Sequence, residues 1–347
     1  MSILPSLHAV VAGQTLSETE AEETMAVILE GSSTPSQIAA FLTALRMKGE
    51  AASELTGFAR AMRRFAQPFD TGLPPGEPLL DTCGTGGDGL ATFNISTLAA
   101  FVVAAAGVRV AKHGNRSISS QCGSADLLEA LGIRIDLSPS EAARSIREVG
   151  IAFLFAPAYH AATRHVQPVR RELKMRTVFN LLGPLANPAG ANLQVVGTTT
   201  EHNAELIGNA LCRLGLKRGF VVYGRDGLDE VTTTTETVAF EINAGRVARL
   251  ILSPEDFGLP RAQLSELAGG LAPENCEIAR SVLAGEPGPA RDIVLANAAL
   301  ALVAAEKAGG LAEGVRVAAW AIDSGGARER VSALEKAGKH LATNEHE

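Results

Sequence analysis

The chain has 347 residues, 46% apolar and 20% charged, with a formal charge of −7 at pH 7. That length and apolar content suffice for one large domain beside a smaller one and exclude a mostly disordered protein. An acidic balance with no basic block argues against a nucleic-acid or anionic-membrane partner, though a local basic cleft can still take one phosphorylated metabolite.

The first seventy residues read as helices only. Ser17 with Glu20, and Thr34-Pro35-Ser36-Gln37, carry the reciprocal capping pattern of helix starts. Gly49 punctuates the second helix, and a third has Leu55, Phe58, Ala59, Met62 and Phe65 at helical spacing. Arg60, Arg63 and Arg64 lie mostly on its other side and are expected to be solvated. Residues 70–77, rich in Gly and Pro, read as a linker. Beyond it, short apolar runs at 78–81, 108–111, 151–155, 194–197 and 219–222 alternate with helical patterns such as 95–106 and 141–149. This is the signature of an α/β fold, a mostly parallel central sheet flanked by helices on both faces. Runs 237–242 and 247–252, joined by Asn243-Ala244-Gly245, read as an edge hairpin, and 289–341 is helical again.

The predicted organisation is thus a small helical domain over 1–70 and a large α/β domain over 71–347. Cys83, Cys122, Cys212 and Cys276 are far apart without a CxxC pair, so reduced thiols and a cytoplasmic location are expected. Residues 1–16 lack a basic segment ahead of an apolar core. The stretch 98–111 is too short for a bilayer and contains Arg109, so neither a secretory signal nor a membrane span is expected.

Four stretches carry chemistry. Residues 81–89 read DTCGTGGDG, follow a strand, and lead through Thr92-Phe93-Asn94-Ile95-Ser96-Thr97 into a helix. Glycines remove the Cβ obstruction so that backbone N–H groups can converge on an anion, and the helix N-terminus adds partial positive charge. The order is neither GxxxxGK[ST] nor GxGxxG, and a tight strand-to-helix turn capped by Asn94 or Ser96 explains the same residues. Next, Lys112-His113-Gly114-Asn115-Arg116 follows the second strand, with Ser117-Ile118-Ser119-Ser120 and Gly123-Ser124 after it. A point charge, an amide and hydroxyls suit a phosphate, a diphosphate and a ribose, whereas His113 alone reads as a structural histidine. Asp226-Gly227-Leu228-Asp229-Glu230 ends another strand and reads either as a place for a hard cation such as Mg²⁺ or as a solvated acidic turn. Finally, Val169-Arg170-Arg171-Glu172-Leu173, followed by 176–184, offers either a bidentate carboxylate holder or two surface arginines.

In this order the four pieces resemble the anthranilate phosphoribosyltransferase family. The resemblance runs nearly end to end, through GTGGDG, NIST, KHGNR, GSADLLEALG, VRREL, RTVFNLLGPLANPAG, DGLDE, SPEDFGL and GPARDIVLANAALAL. It implies an enzyme that moves phosphoribose from 5-phosphoribosyl-1-diphosphate (PRPP) to the amine of anthranilate. It also implies a homodimer and a small domain completed by an insertion near 160–183. The large domain would be like that of pyrimidine nucleoside phosphorylases. PRPP contacts implied by the resemblance are Gly84, Gly87, Asp88, Thr92, Asn94, Ile95, Ser96, Thr97, Lys112, His113, Gly114, Asn115, Arg116, Ser117, Ile118, Ser119, Ser120 and Ser124. The implied anthranilate contacts are Gly84, Asn115 and Arg170, with Arg170 facing the carboxylate. Ser96, Asp229 and Glu230 are the implied ligands of Mg²⁺, two ions per subunit. The chain departs from the family's usual His-Pro-Ala-Met at His160-Ala161-Ala162-Thr163, and from its His-Gly before the acidic loop at Tyr223-Gly224. Two rival classes share the fold: a pyrimidine nucleoside phosphorylase, which has no use for the acidic pair as metal ligands, and a non-catalytic nucleic-acid-binding relative, which should be basic.

Overall fold

Helices α1 (Leu4–Val11), α2 (Glu18–Leu29), α3 (Pro35–Lys48) and α4 (Ala52–Arg64) open the chain. The structure, a computed structural model, describes residues 2–117 and 121–344, with side chains to 337, so Ile118, Ser119 and Ser120 lie outside the described residues. Both expected capping boxes form: the Ser17 and Thr34 oxygens accept from the amides of Glu20 and Gln37, whose side chains accept in return. Each such cap contributes about 1 kcal/mol. The α4 stripe of Leu55, Phe58, Ala59 and Met62 is buried, Phe58 meeting Phe41 edge-on at 6.1 Å. Burial of each large side chain stabilises by about 1.5–3 kcal/mol. Arg60 and Arg64 pair with Glu18 and Glu22 at the surface. Arg63 departs from its expected solvated place. Its Nε donates to the Leu185 carbonyl at 2.7 Å, because the chain 122 residues later packs under this face of α4.

Seven strands form one sheet: β1 (Leu79–Gly84), β2 (Arg109–Gly114), β3 (Ile151–Phe155), β4 (Leu193–Gly197), β5 (Arg218–Gly224), β6 (Thr237–Asn243) and β7 (Arg246–Leu252). Their order is β3-β2-β1-β4-β5-β6-β7. The first five pair in parallel, and β5-β6 and β6-β7 are antiparallel. The β6–β7 turn is made by Ala244 and Gly245, both at positive φ (49° and 74°), which matches the strand twist of a two-residue hairpin. Helices α5 (Ile95–Ala105), α6 (Ser124–Ala130) and α7 (Pro139–Glu148) lie among the first three strands. The short α8 (Ala156–Tyr159), α9 (Gln167–Leu173) and α10 (Phe179–Leu182) follow β3, and α11 (Glu201–Arg213) separates β4 from β5. The chain ends in α12 (Ala272–Ala284), α13 (Pro289–Ala304), α14 (Leu311–Asp323) and α15 (Gly326–Asn344).

Alternate strand residues feed two faces. Leu80, Val110 and Phe220 join α5 and α13 in one core, whereas Val196, Val221 and Phe240 join α11 and the α1–α4 layer in another. Val166, Val169, Phe179 and Leu182, on and beside α9 and α10, belong to that second core. The strand order has one consequence for function. From β1 the chain winds one way to β2 and β3, then returns to place β4 on the other side of β1. The carboxyl ends of β1 and β4 therefore flank the crevice where open α/β sheets bind ligands.

Candidate functional site

The glycine loop leaves β1 at that crevice, and the acidic loop after β5 folds back into it. The Gly86 amide donates to Asp229 Oδ2 at 2.9 Å, and the Ser96 amide, in the first turn of α5, donates to Glu230 Oε1 at 3.1 Å. Consecutive carboxylates thus divide between the two anion-attracting elements, one on the loop and one on the helix N-terminus. Close approach explains two glycines. A Cβ on Gly84 would lie 2.7 Å from Asp229 Oδ2, and one on Gly197 at the end of β4 would overlap the Asp229 backbone. Asp226, by contrast, is a turn residue, accepting from the Thr232 hydroxyl at 2.6 Å and from Thr234.

Crowding raises the acid pKa values here. Removal from water, then the charge of Asp88, pushes Asp229 up to about 7, and Asp88 hydrogen-bonds the same carboxyl. Glu230 is pushed up to about 8 by burial and by Asp229, partly offset by Lys112. Two half-buried acids side by side are a ready seat for a cation. Among the described residues no group of three or more His, Cys, Asp or Glu forms a closed metal cage. The Asp229–Glu230 pair has the chemistry of a seat for Mg²⁺, which takes one or two carboxylates and completes its shell with water and phosphate oxygens.

Lys112 lies beneath the site. The β-pleat turns it toward α5, where its Nζ donates to the Thr82 carbonyl and approaches Ser96 Oγ at 3.4 Å. Buried Asp81 is its counter-charge, held in turn by the His113 amide at 3.1 Å and Asn187 Nδ2 at 2.8 Å. The neighbouring His113 points to the opposite face. Its Nδ1 lies 3.2 Å from the Gly183 carbonyl, Nε2 has no partner among the described residues, and its ring meets His160 edge-on at 5.2 Å. Burial first, then the His160 charge, pulls its pKa down to about 3, so the ring is neutral. The Thr163 hydroxyl donates to the His160 carbonyl at 2.7 Å, a contact the departure from the family's Met makes available.

The remaining predicted residues fall into two sets. Asn94 sits at the N-cap position of α5 with its Nδ2 donating to Cys122 O and its Oδ1 accepting from Asn275; Ile95 and Thr97 are buried in the first turn. Thr92 bridges Ala268, and Asp88 accepts from the Leu90 amide. In the second loop, exposed Asn115 receives the Arg116 amide, while the Ser124 hydroxyl donates to the Asn115 carbonyl. Arg116 is bound to Asp126 and Glu129, and the Ser117 amide also donates to Asp126. Arg170 is half-buried on α9, with its guanidinium carbon 5.4 Å from the Phe179 ring centre. Burial lowers its pKa, and it makes no ion pair among the described residues. Sequence reasoning assigned no role to Asp81, Asn187, Gly197 or Arg176, although three of them stand in motifs it quoted.

Comparison with known proteins decides the family. Residues 76–328 match the model of a glycosyl transferase family a/b domain, and 4–66 that of its helical bundle domain. An anthranilate phosphoribosyltransferase of Solibacter usitatus is 60% identical over 96% of this chain and 98% of its own. The chain belongs to the anthranilate phosphoribosyltransferase family. The Thermus thermophilus member's crystal structure superposes with a TM-score of 0.90 at 44% identity, covering 96% of this chain and 98% of that one. The Saccharomyces cerevisiae enzyme in complex with PRPP and Mg gives 0.87 at 29% identity, covering 96% and 97%.

Proposed function

We infer that the protein transfers the 5-phosphoribosyl group from PRPP to the amine of anthranilate, releasing diphosphate, as a step of tryptophan biosynthesis. The observation that carries the reading is the Asp229–Glu230 pair seated between the glycine loop and the start of α5. A cation there lies beside two elements that attract anions, which is what a metal-bound sugar diphosphate needs. Bound with the donor, Mg²⁺ supplies counter-charge to the diphosphate, and Ser96, Asp229 and Glu230 would hold two ions per subunit.

In this reading Gly84, Gly87, Asp88, Thr92, the 94–97 turn, the 112–120 segment and Ser124 surround PRPP, and Arg170, Asn115 and Gly84 take anthranilate. Arg170 holds the acceptor's carboxylate. The arylamine is uncharged at neutral pH, so its lone pair is available without a strong base. As the C1′–N bond forms, the C1′–O bond to diphosphate breaks and the electron pair leaves with the diphosphate; the amine proton is lost afterwards. The amides of the glycine loop and the N-terminus of α5, with Lys112 behind them, stabilise the charge that develops on the leaving group. Orientation of the amine by Arg170 contributes the rest.

Following anthranilate fluorescence tests this directly. Signal should fall only with PRPP and divalent cation together, stop on chelation, and resume with added Mg²⁺. Phosphorolysis of a pyrimidine nucleoside with no use of PRPP would replace this reading by the phosphorylase one.

The homodimer is part of the proposal. Leu4 and Val11 on α1, and Met47 on α3, are large apolar side chains left 40%, 68% and 83% exposed on helices that pack together. A second copy of this chain would cover them. Sedimentation should give twice 36.1 kDa, and a mass of 36.1 kDa at micromolar concentration would exclude it. We place the enzyme in the cytoplasm, since the cysteines are far apart in sequence without a CxxC pair, and Cys83, Cys122 and Cys276 are buried. Among the described residues no helix is long and apolar enough to cross a membrane. The small domain is taken as 1–70 with 160–183, which share one core.

A further inference from the structure

The segment joining α9 to α10 reaches across to the glycine loop through one side chain. Arg176 Nη1 donates to both the Gly86 and the Gly87 carbonyls, at 3.1 and 3.0 Å. These glycines stand in the left-handed region, φ +64° and +77°, and a Cβ on Gly87 would overlap Nη1. Gly87 therefore leaves room for an arginine 89 residues away. On its other side the loop is held by Asp229 through the Gly86 amide. The second terminal nitrogen of Arg176, Nη2, is buried and finds no hydrogen-bond partner among the described residues.

The same segment carries Arg170, six residues earlier, in the last turn of a helix whose Val169 is anchored in the small-domain core. Lys174, between them, takes a left-handed conformation (φ 46°) that ends α9 and turns the chain toward the loop. Just beyond Arg176, the Thr177 amide is capped by Asn180 Oδ1 at 2.9 Å, and Val178 and Phe179 are buried. Both ends of the connection are therefore fixed by packing, and the guanidinium between them has little freedom to let go of the loop.

We propose that Arg176 is a positioning residue that couples the acceptor-binding segment to the donor-binding glycine loop. By gripping two consecutive carbonyls it sets the direction of the loop amides, and so the affinity for the sugar diphosphate. Because Arg170 stands on the same anchored segment, occupation of the acceptor site steadies the grip, and the two substrates favour each other's binding. Such coupling is reciprocal: acceptor must tighten donor by the factor by which donor tightens acceptor. The proposal rests on the phosphoribosyl-transfer reading given above.

Two variants test it. Arg176→Met keeps the aliphatic stem and removes every donor, whereas Arg176→Lys keeps one charged donor able to reach a carbonyl. For Arg176→Met the KM for PRPP should rise at least tenfold. Anthranilate binding to the donor-free protein, measured by fluorescence titration, should stay within twofold of wild type, and its tightening by PRPP should be lost. Arg176→Lys should recover part of both effects. Amide exchange across 84–92 should quicken in Arg176→Met even without substrates, a readout independent of turnover that also serves if the variant is inactive. A PRPP KM within twofold of wild type together with unchanged exchange would overturn the proposal, while wild-type turnover in the same assay preserves the reaction assignment. Absence of wild-type turnover with PRPP and anthranilate sinks both. A general fall in kcat with neither KM nor exchange altered also overturns it, because a loop-positioning role cannot act that way.

Discussion

Replacing Asp229 by Asn together with Glu230 by Gln should abolish turnover while making the free protein more resistant to denaturation at pH 8. The two effects share one cause. The pair is held in a half-buried crevice beside Asp88, with removal from water as the main reason their pKa values rise to about 7 and about 8. An acid whose folded-state pKa exceeds its unfolded value binds more protons when folded. Stability then falls as pH rises, at up to ~1.4 kcal/mol per pH unit for each group. The buried histidines act oppositely. His113 and His160, drawn down to about 3 and about 4 chiefly by burial, cost stability as pH falls below the unfolded value of 6.5. Between pH 6.5 and 8 the acids are therefore unopposed by the histidines. Wild-type protein should lose denaturation free energy across that window, and the double amide variant should not. Addition of Mg²⁺ with PRPP should restore the wild type and leave the variant unaffected. For activity, the amides keep the shape and remove the charge that a cation needs, and a loss of at least a thousandfold in kcat/KM is expected. Near-normal turnover in the double variant would remove these residues from metal binding. An unchanged pH dependence of its denaturation midpoint would show that the acids are not strained in the free protein.

The second large effect is expected at Arg170. Its guanidinium is half-buried against Phe179, is drawn below its usual pKa by burial, and has no carboxylate partner among the described residues. A desolvated cation without a counter-ion is poorly satisfied until an anion arrives, and the acceptor's carboxylate is such an anion. Arg170→Ala should raise the anthranilate KM by about ten- to a hundredfold, roughly 1.5–3 kcal/mol for a lost charged hydrogen bond. The KM for PRPP should change far less. Arg170→Lys should recover only part, since an ammonium cannot offer the paired donors of the fork. An unchanged anthranilate KM in Arg170→Ala, with kcat lowered instead, would move the residue from binding to some other task.

Local chemistry is legible in the amino-acid order. Both N-terminal capping boxes, the Ala244-Gly245 turn and the alternation of runs that become β1 to β7 depend on residues within a few positions of one another. Strand limits are less so. The 78–81 run continues to Gly84 and the 108–111 run to Gly114, because pairing with β4 and β3 carries polar residues into the ladder that an apolar pattern would have ended. The same pairing decides direction. Lys112 and His113 are adjacent, yet the pleat sends one toward α5 and the other toward Gly183.

What the chain's own residues settled unaided was chemical inventory: glycines before a helix, a lysine after a strand, consecutive acids and an arginine pair, all in an order that marks one family. Tertiary structure alone decided which of these meet. It put β4 beside β1, Asp229 against Gly84, Asn187 under Asp81 and Arg176 over Gly87. Contacts bridging roughly ninety to 145 positions leave no periodic trace, since no local spacing encodes them. They exist because burying the apolar faces of a sheet and its helices admits one arrangement, and the polar groups must find partners within it.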